Sequence, residues 1–198
     1  MEMNLPYRMD NLTGAPLDHY LGKLAEADPG EIAARTGLPF DGEKFTLTIL
    51  GEQRTVTFPA FDDEGWKDKE KILFARYLLE GKKVGAHTGF KTYRDMPWGE
   101  VYDTPFRGRC QLRLAGTFGT RPAAFAAACE KLGGVKLPSS AIAYEIGFMP
   151  NLFLQFYLWE GDEEFPASTQ ILFSDNFPDT FSAEDRVFVC EYILGRLR

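Results

Sequence analysis

AIAYEIGFMPNLFLQFYLWEGDEEFPASTQILF, residues 141–173, holds the most strand-like pattern in the chain. It reads as three strands, AIAYEIGF (141–148), LFLQFYLW (152–159) and STQILF (168–173), rich in aromatic and β-branched residues. The connections are too short for a crossover helix, and the last two strands are joined only by the acidic turn EGDEEFPA (160–167). Consecutive strands with short connections predict an antiparallel meander.

Upstream, FTLTILGEQRTVTF (45–58) predicts a hairpin with a two-residue type II′ turn at Gly51–Glu52. Phe45 would face Phe58, Leu47 Val56, and Ile49 Arg54, with Thr46, Thr48, Thr55 and Thr57 on the wet side. We expect this hairpin to be structural only.

Helices flank these strands. Leu17, Tyr20, Leu21 and Leu24 recur at helical spacing, and a second short helix has Asp28 as N-cap, Pro29 at its first position and Gly37 as its stop. WKDKEKILFARYLLEG (66–81) predicts a helix with Ile72, Ala75, Leu78 and Leu79 inward. TRPAAFAAACEKLGG (120–134) predicts one capped by Thr120 and stopped at Gly133–Gly134. FSAEDRVFVCEYILGRLR (181–198) closes the chain with Ser182 as cap, Asp185 at the third position and Val187, Cys190, Leu194 and Leu197 inward. The expected fold is a single α+β domain, residues 1–198, with a mostly antiparallel sheet flanked by helices.

Composition narrows the function. At 198 residues a core needs no staple, and a net charge of -7 with a pI near 5.0 argues against nucleic-acid binding. Cys110, Cys129 and Cys190 have neither disulfide-framework nor zinc or iron–sulfur spacing, which fits a reducing cytoplasm. MEMNLPYRMDNL (1–12) lacks the charge and apolar run of a leader, and no apolar run reaches the ~20 residues that cross a bilayer. We therefore expect neither export nor membrane insertion. The sequence has no Walker or dinucleotide-binding glycine motif, no nucleophile elbow and no HExxH. His19 and His87 are the only imidazoles, so a hydrolytic triad or a zinc site has little to rest on.

One segment is left over. TYRDMPWGEVYDTPFRGRC (92–110) predicts a long structured loop, followed by a strand over CQLRLAG (110–116). Arg94, Arg107 and Arg109 offer forks for a carboxylate or phosphate, and Tyr93, Trp98, Tyr102 and Phe106 offer flat faces. The same arginines can instead pair with Asp95, Glu100 and Asp103 while the rings fill the space over the sheet. Glu160, Asp162, Glu163 and Glu164 crowd the turn after Trp159, either as a solvated acidic turn or as partners for the arginines.

The expected ligand site joins His87, Tyr93, Arg94, Asp95, Trp98, Tyr102 and Arg107 to Trp159, Asp162 and Glu164. It would take a small organic anion or cofactor, a tetrapyrrole or corrinoid being one candidate, with His87 as axial ligand or proton shuttle. Two alternatives stay open. One is an enzyme using Asp95, Asp103 or Glu164 as acid or base, and the other is a protein-interaction module with aromatic hot spots.

The runs PFDG, EKILFARYLLEG, TYRDMPWGEVYDTPF, WEGDEEFPA, ILFSDNF and FSAED, spread over about residues 39–190, resemble the domain-of-unknown-function 3786 family. The resemblance implies an uncharacterised protein of anaerobic bacteria or archaea. Some family members carry an added cysteine-rich iron–sulfur domain; residues 1–198 hold only three cysteines and no such cysteine-rich run, so a redox or iron–sulfur partner is implied by resemblance alone. No catalytic residue carries over.

Overall fold

The computed structural model describes residues 16–197, so the leader reading of residues 1–12 lies outside them. The fold is α+β with an antiparallel two-stranded and an antiparallel five-stranded sheet. The described residues gather into two compact units, one within Met1–Thr46 and Thr55–Gly81, the other within Leu47–Arg54 and Lys82–Arg198.

The first unit holds helix α1 (Pro16–Glu26), helix α2 (Pro29–Thr36), the base of a hairpin and helix α3 (Asp68–Glu80). Asp28 caps α2 by accepting from the Glu31 N–H at 3.0 Å, and Gly37 ends it in the left-handed region at φ 70°. Leu73, Phe74, Ala75, Tyr77 and Leu78 of α3 are buried, whereas Ile72 and Leu79 are only half-buried. The inward face is therefore wider than the predicted stripe. Trp66 packs edge-on against Phe61 and Phe74, and Arg76 lies 5.5 Å from the Tyr20 ring.

The hairpin is built from β1 (Lys44–Ile49) and β2 (Glu52–Thr57). Phe45, Leu47, Ile49 and Val56 point inward as expected. The turn, however, is Leu50–Gly51, with φ of 50° and 79°, one residue earlier than predicted. Two positive φ values mark the type I′ geometry that matches strand twist. The Leu50 N–H donates to the Phe148 carbonyl at 2.8 Å, which anchors the turn.

In the second unit, β3 (Phe90–Thr92) precedes helix α4 (Gly99–Phe106), a π-helical turn (Arg107–Leu112) and helix α5 (Arg113–Phe118). Helix α6 (Pro122–Lys131), β4 (Val135–Lys136), β5 (Ile142–Met149), β6 (Leu152–Trp159), β7 (Ser168–Ser174) and helix α7 (Ala183–Leu194) follow. The sheet order is β3-β7-β6-β5-β4, with Phe156 opposite both Tyr144 and Ile171. The meander is as predicted, extended at each edge by a short strand.

The predicted loop at 92–109 and strand at 110–116 are instead a turn and one nearly continuous helical run. Gly99 opens it because a Cβ there would lie 1.9 Å from the Tyr93 carbonyl oxygen. Pro105 removes one backbone donor from the first helical turns, and the π turn then inserts an extra residue. Phe106, Cys110, Leu114 and Phe118 face inward at steps of four residues, while Leu112 is 69% exposed. That spacing superimposes on an alternating pattern, which is why CQLRLAG imitates a strand. Thr120 is not the cap of α6; that position belongs to Arg121. Ser182 and Asp185 do form the predicted capping box of α7, and Leu197 is buried just beyond the helix end.

One sheet face carries Tyr144, Ile146, Leu154, Phe156, Leu158, Ile171 and Phe173, all nearly inaccessible. Phe106, Phe125 and Phe177 pack their rings against it. The opposite face is half-exposed.

Candidate functional site

The 92–110 stretch divides by chemistry. Tyr93 stacks on Phe106 with centroids 4.2 Å apart and planes 7° apart, and both rings contact Phe173. The Tyr93 hydroxyl donates to the Ala183 carbonyl at 2.7 Å. Buried Arg186 lies over the same ring and donates to the Pro97 and Phe181 carbonyls. Arg109 forks onto Glu191 at 3.0 and 2.6 Å, and this contact holds its guanidinium above the ordinary arginine range. These side chains fasten the helical run to α7.

The remaining predicted residues point elsewhere. Arg94 pairs with Glu100 at 2.9 Å, with both side chains largely in water, and Arg107 is exposed. Asp95 accepts from the Thr92 hydroxyl at 2.6 Å, and Tyr102 is half-buried. Trp98 is 64% exposed although its backbone is left-handed at φ 61°. Asp162 accepts from the Glu164 and Phe165 N–H groups, which holds its carboxyl below the usual range, and Glu164 is exposed. The two arginines therefore lie in solvent rather than on the floor of a cleft.

His87 and Trp159 lead to a different place, the half-exposed sheet face. The register sets Thr92, Leu172, Gln155, Glu145 and Val135 in one row across all five strands. Along β6 the same face shows Phe153, Gln155, Tyr157 and Trp159, with Trp159 stacked on Tyr157 at 6.0 Å. The Tyr157 hydroxyl donates to Gln155 Oε1 at 2.9 Å, and Gln155 Nε2 donates to Glu145 Oε2 at 2.9 Å. The relay therefore ends on a carboxylate, an acceptor with further lone pairs.

Glu145 borders a cleft of about 290 Å³ lined also by Leu50, Gly51, Leu132, Val135, Gly147 and Phe153. Gly147 contributes no side chain, and the turn that was expected to be structural only supplies one wall. Sequence reasoning missed Glu145, Gln155 and Tyr157. Gln155 and Tyr157, two positions apart in LFLQFYLW, were the available signal, but only the register places Glu145 beside them.

The segment before β3 reaches this face through a clamp. Asn176 Nδ2 donates to the Gly85 and Asn151 carbonyls, each at 2.9 Å, and Asn151 Nδ2 donates to the Val84 carbonyl at 2.9 Å. Asp175 accepts from the Thr88 N–H and hydroxyl, hydrogen bonds that depress its pKa. His87 is thereby held between Phe90 and Phe153, at 4.8 and 5.3 Å, with Nδ1 buried and unpaired. Among the described residues, no group of three or more His, Cys, Asp or Glu side chains is placed to hold a metal ion, and no helix is long and apolar enough to cross a membrane.

The match to the family described as domain of unknown function (DUF3786) runs over residues 28–196. The chain belongs to the DUF3786 family. No curated protein and no solved structure matches it. The DUF3786 match spans both the clamp residues of ILFSDNF and the strands that carry the Glu145 row.

Proposed function

We propose that this protein binds a small organic molecule bearing a protonated amine or a similar donor, seated on the half-exposed sheet face with Glu145 as its charged partner. The carrying observation is the Glu145 carboxylate, oriented through one oxygen by Gln155 and bordered by apolar walls. An anion would meet a carboxylate there, so the favoured ligand charge is opposite to that suggested by Arg94 and Arg107. The cleft's volume is at the low end for ligand pockets and suits a single-ring compound rather than a macrocycle. The aromatic strip of Phe153, Tyr157 and Trp159 supplies stacking surface beside it.

Calorimetric titration with benzylamine, benzyl alcohol and benzoate tests the reading. Benzylamine should bind, and Glu145→Gln should abolish it. Preferential binding of benzoate would return the site to the arginines of α4 and the π turn. Cys110, Cys129 and Cys190 are all free and buried, which supports a reducing compartment such as the cytoplasm.

A further inference from the structure

The outer side of the helical run from Gly99 to Phe118 is exposed in doublets. They are Glu100–Val101, Thr104–Pro105, Arg107–Gly108, Leu112–Arg113 and Gly116–Thr117, with the widest step at the π turn. Val101 and Leu112 are each 69% exposed and Trp98 is 64% exposed. A Cβ added at Gly108 or Gly116 would meet nothing within 4 Å. Trp98 is no loose ring, because Arg186 grips the Pro97 carbonyl at 2.6 Å and Gly99 donates to the Met96 carbonyl at 2.8 Å. A large apolar side chain held out in water on a fixed backbone is characteristic of a contact anchor.

We infer that this face binds a second copy of the same chain, helix against antiparallel helix. The argument is self-complementarity. A two-fold axis passing between Phe106 and Arg107 sets Val101 opposite Leu112, Pro105 opposite Gly108, and the Pro97–Trp98 corner opposite Gly116. The same axis sets Glu100 opposite Arg113, so each crossing has two ion pairs. Arg113 makes no ion pair among the described residues, and Glu100 has only the solvent-exposed Arg94. Glycines at the crossing point and at Gly116 leave room for close backbone approach and for the tryptophan ring. The contact is a single helix strip about 30 Å long. It falls at the small end of specific interfaces and predicts a concentration-dependent dimer.

Sedimentation velocity on the full chain, from low micromolar to near-millimolar concentration, tests this. The wild type should pass from monomer to dimer. Leu112→Arg should stay monomeric, and Glu100→Arg should weaken the dimer at least about tenfold by setting arginine against arginine. The double change Glu100→Arg with Arg113→Glu should restore it, because the pair is rebuilt with reversed sign. All these positions are exposed, and circular dichroism verifies that each variant folds. Arg107→Cys, the exposed position nearest the axis, should form a disulfide-linked dimer under copper-catalysed air oxidation, since the native thiols are buried. A wild type that stays monomeric throughout, a dimer indifferent to Leu112→Arg, or a double charge change that fails to restore it would overturn the inference.

Discussion

The five-stranded sheet has two faces made by the same strands, and they differ in what they ask of a side chain. Phe156 is inaccessible among Tyr144, Ile171 and other apolar neighbours, while Gln155 and Tyr157 on either side of it stand half-exposed in a hydrogen-bonded row. The buried face is filled by volume, and the other is organised by direction, each donor aimed at the next acceptor. A position can therefore be costly to change for stability or for recognition, and along β6 the two kinds alternate residue by residue.

The largest effect should come from Phe156→Ala, which leaves a cavity under helices and should cost about 3–5 kcal/mol in urea unfolding. Phe153→Ala, on the half-exposed side, should cost under about 2 kcal/mol yet weaken benzylamine binding. If the two losses were equal, the faces would not be divided as described.

Alkaline pH separates them next. On the buried side, the hydrogen bond to Glu130 together with burial pushes the Tyr144 hydroxyl up to about 12, and burial pushes the Cys129 thiol up to about 12. Both are neutral acids whose folded pKa exceeds the unfolded one. Their stabilisation is present below the ordinary values of 9.0 and 10.0 and fades as pH rises towards about 12. Thermal unfolding followed over that range should show a falling melting temperature, with a shallower slope in Tyr144→Phe. An equal slope in that variant would remove Tyr144 from the account.

Gln155→Ala should cost only about 0.5–1.5 kcal/mol of stability, because it frees two half-exposed partners. Its benzylamine affinity should fall because Glu145 loses its orienting donor. Arg94→Ala should do least: an exposed ion pair contributes about 0–1 kcal/mol, and binding at the sheet should be unchanged. A marked loss of affinity in Arg94→Ala would shift the site back to α4.

What was legible in the sequence follows from how locally each feature is encoded. Asp28, Gly37, Ser182 and Asp185 act within one turn of themselves, and the strands 142–149, 152–159 and 168–174 need only short connections. The run from Gly99 to Phe118 was hidden because Pro105 and the π turn break its helical period. Its charges were read as a ligand's partners, whereas Arg109 reaches Glu191, 82 residues away. The Glu145 row was out of reach for another reason: its members lie on separate strands, and a one-residue slip in register would turn half of them to the other face. His87 and Trp159 belong to that face, but only pairing distances show it.

Asn176 joins three chain segments through one amide and its hydroxyl neighbour, Ser174. Its bond to Gly85 closes a separation of 91 residues, and that of Thr88 with Asp175 closes 87. Contacts of such range carry a large loop-closure cost and form only after their anchoring strands exist. We therefore expect the meander to form first during folding and the His87 segment last. The rim of the half-exposed face is then expected to close late, and amide hydrogen exchange should find residues 85–88 opening before β6.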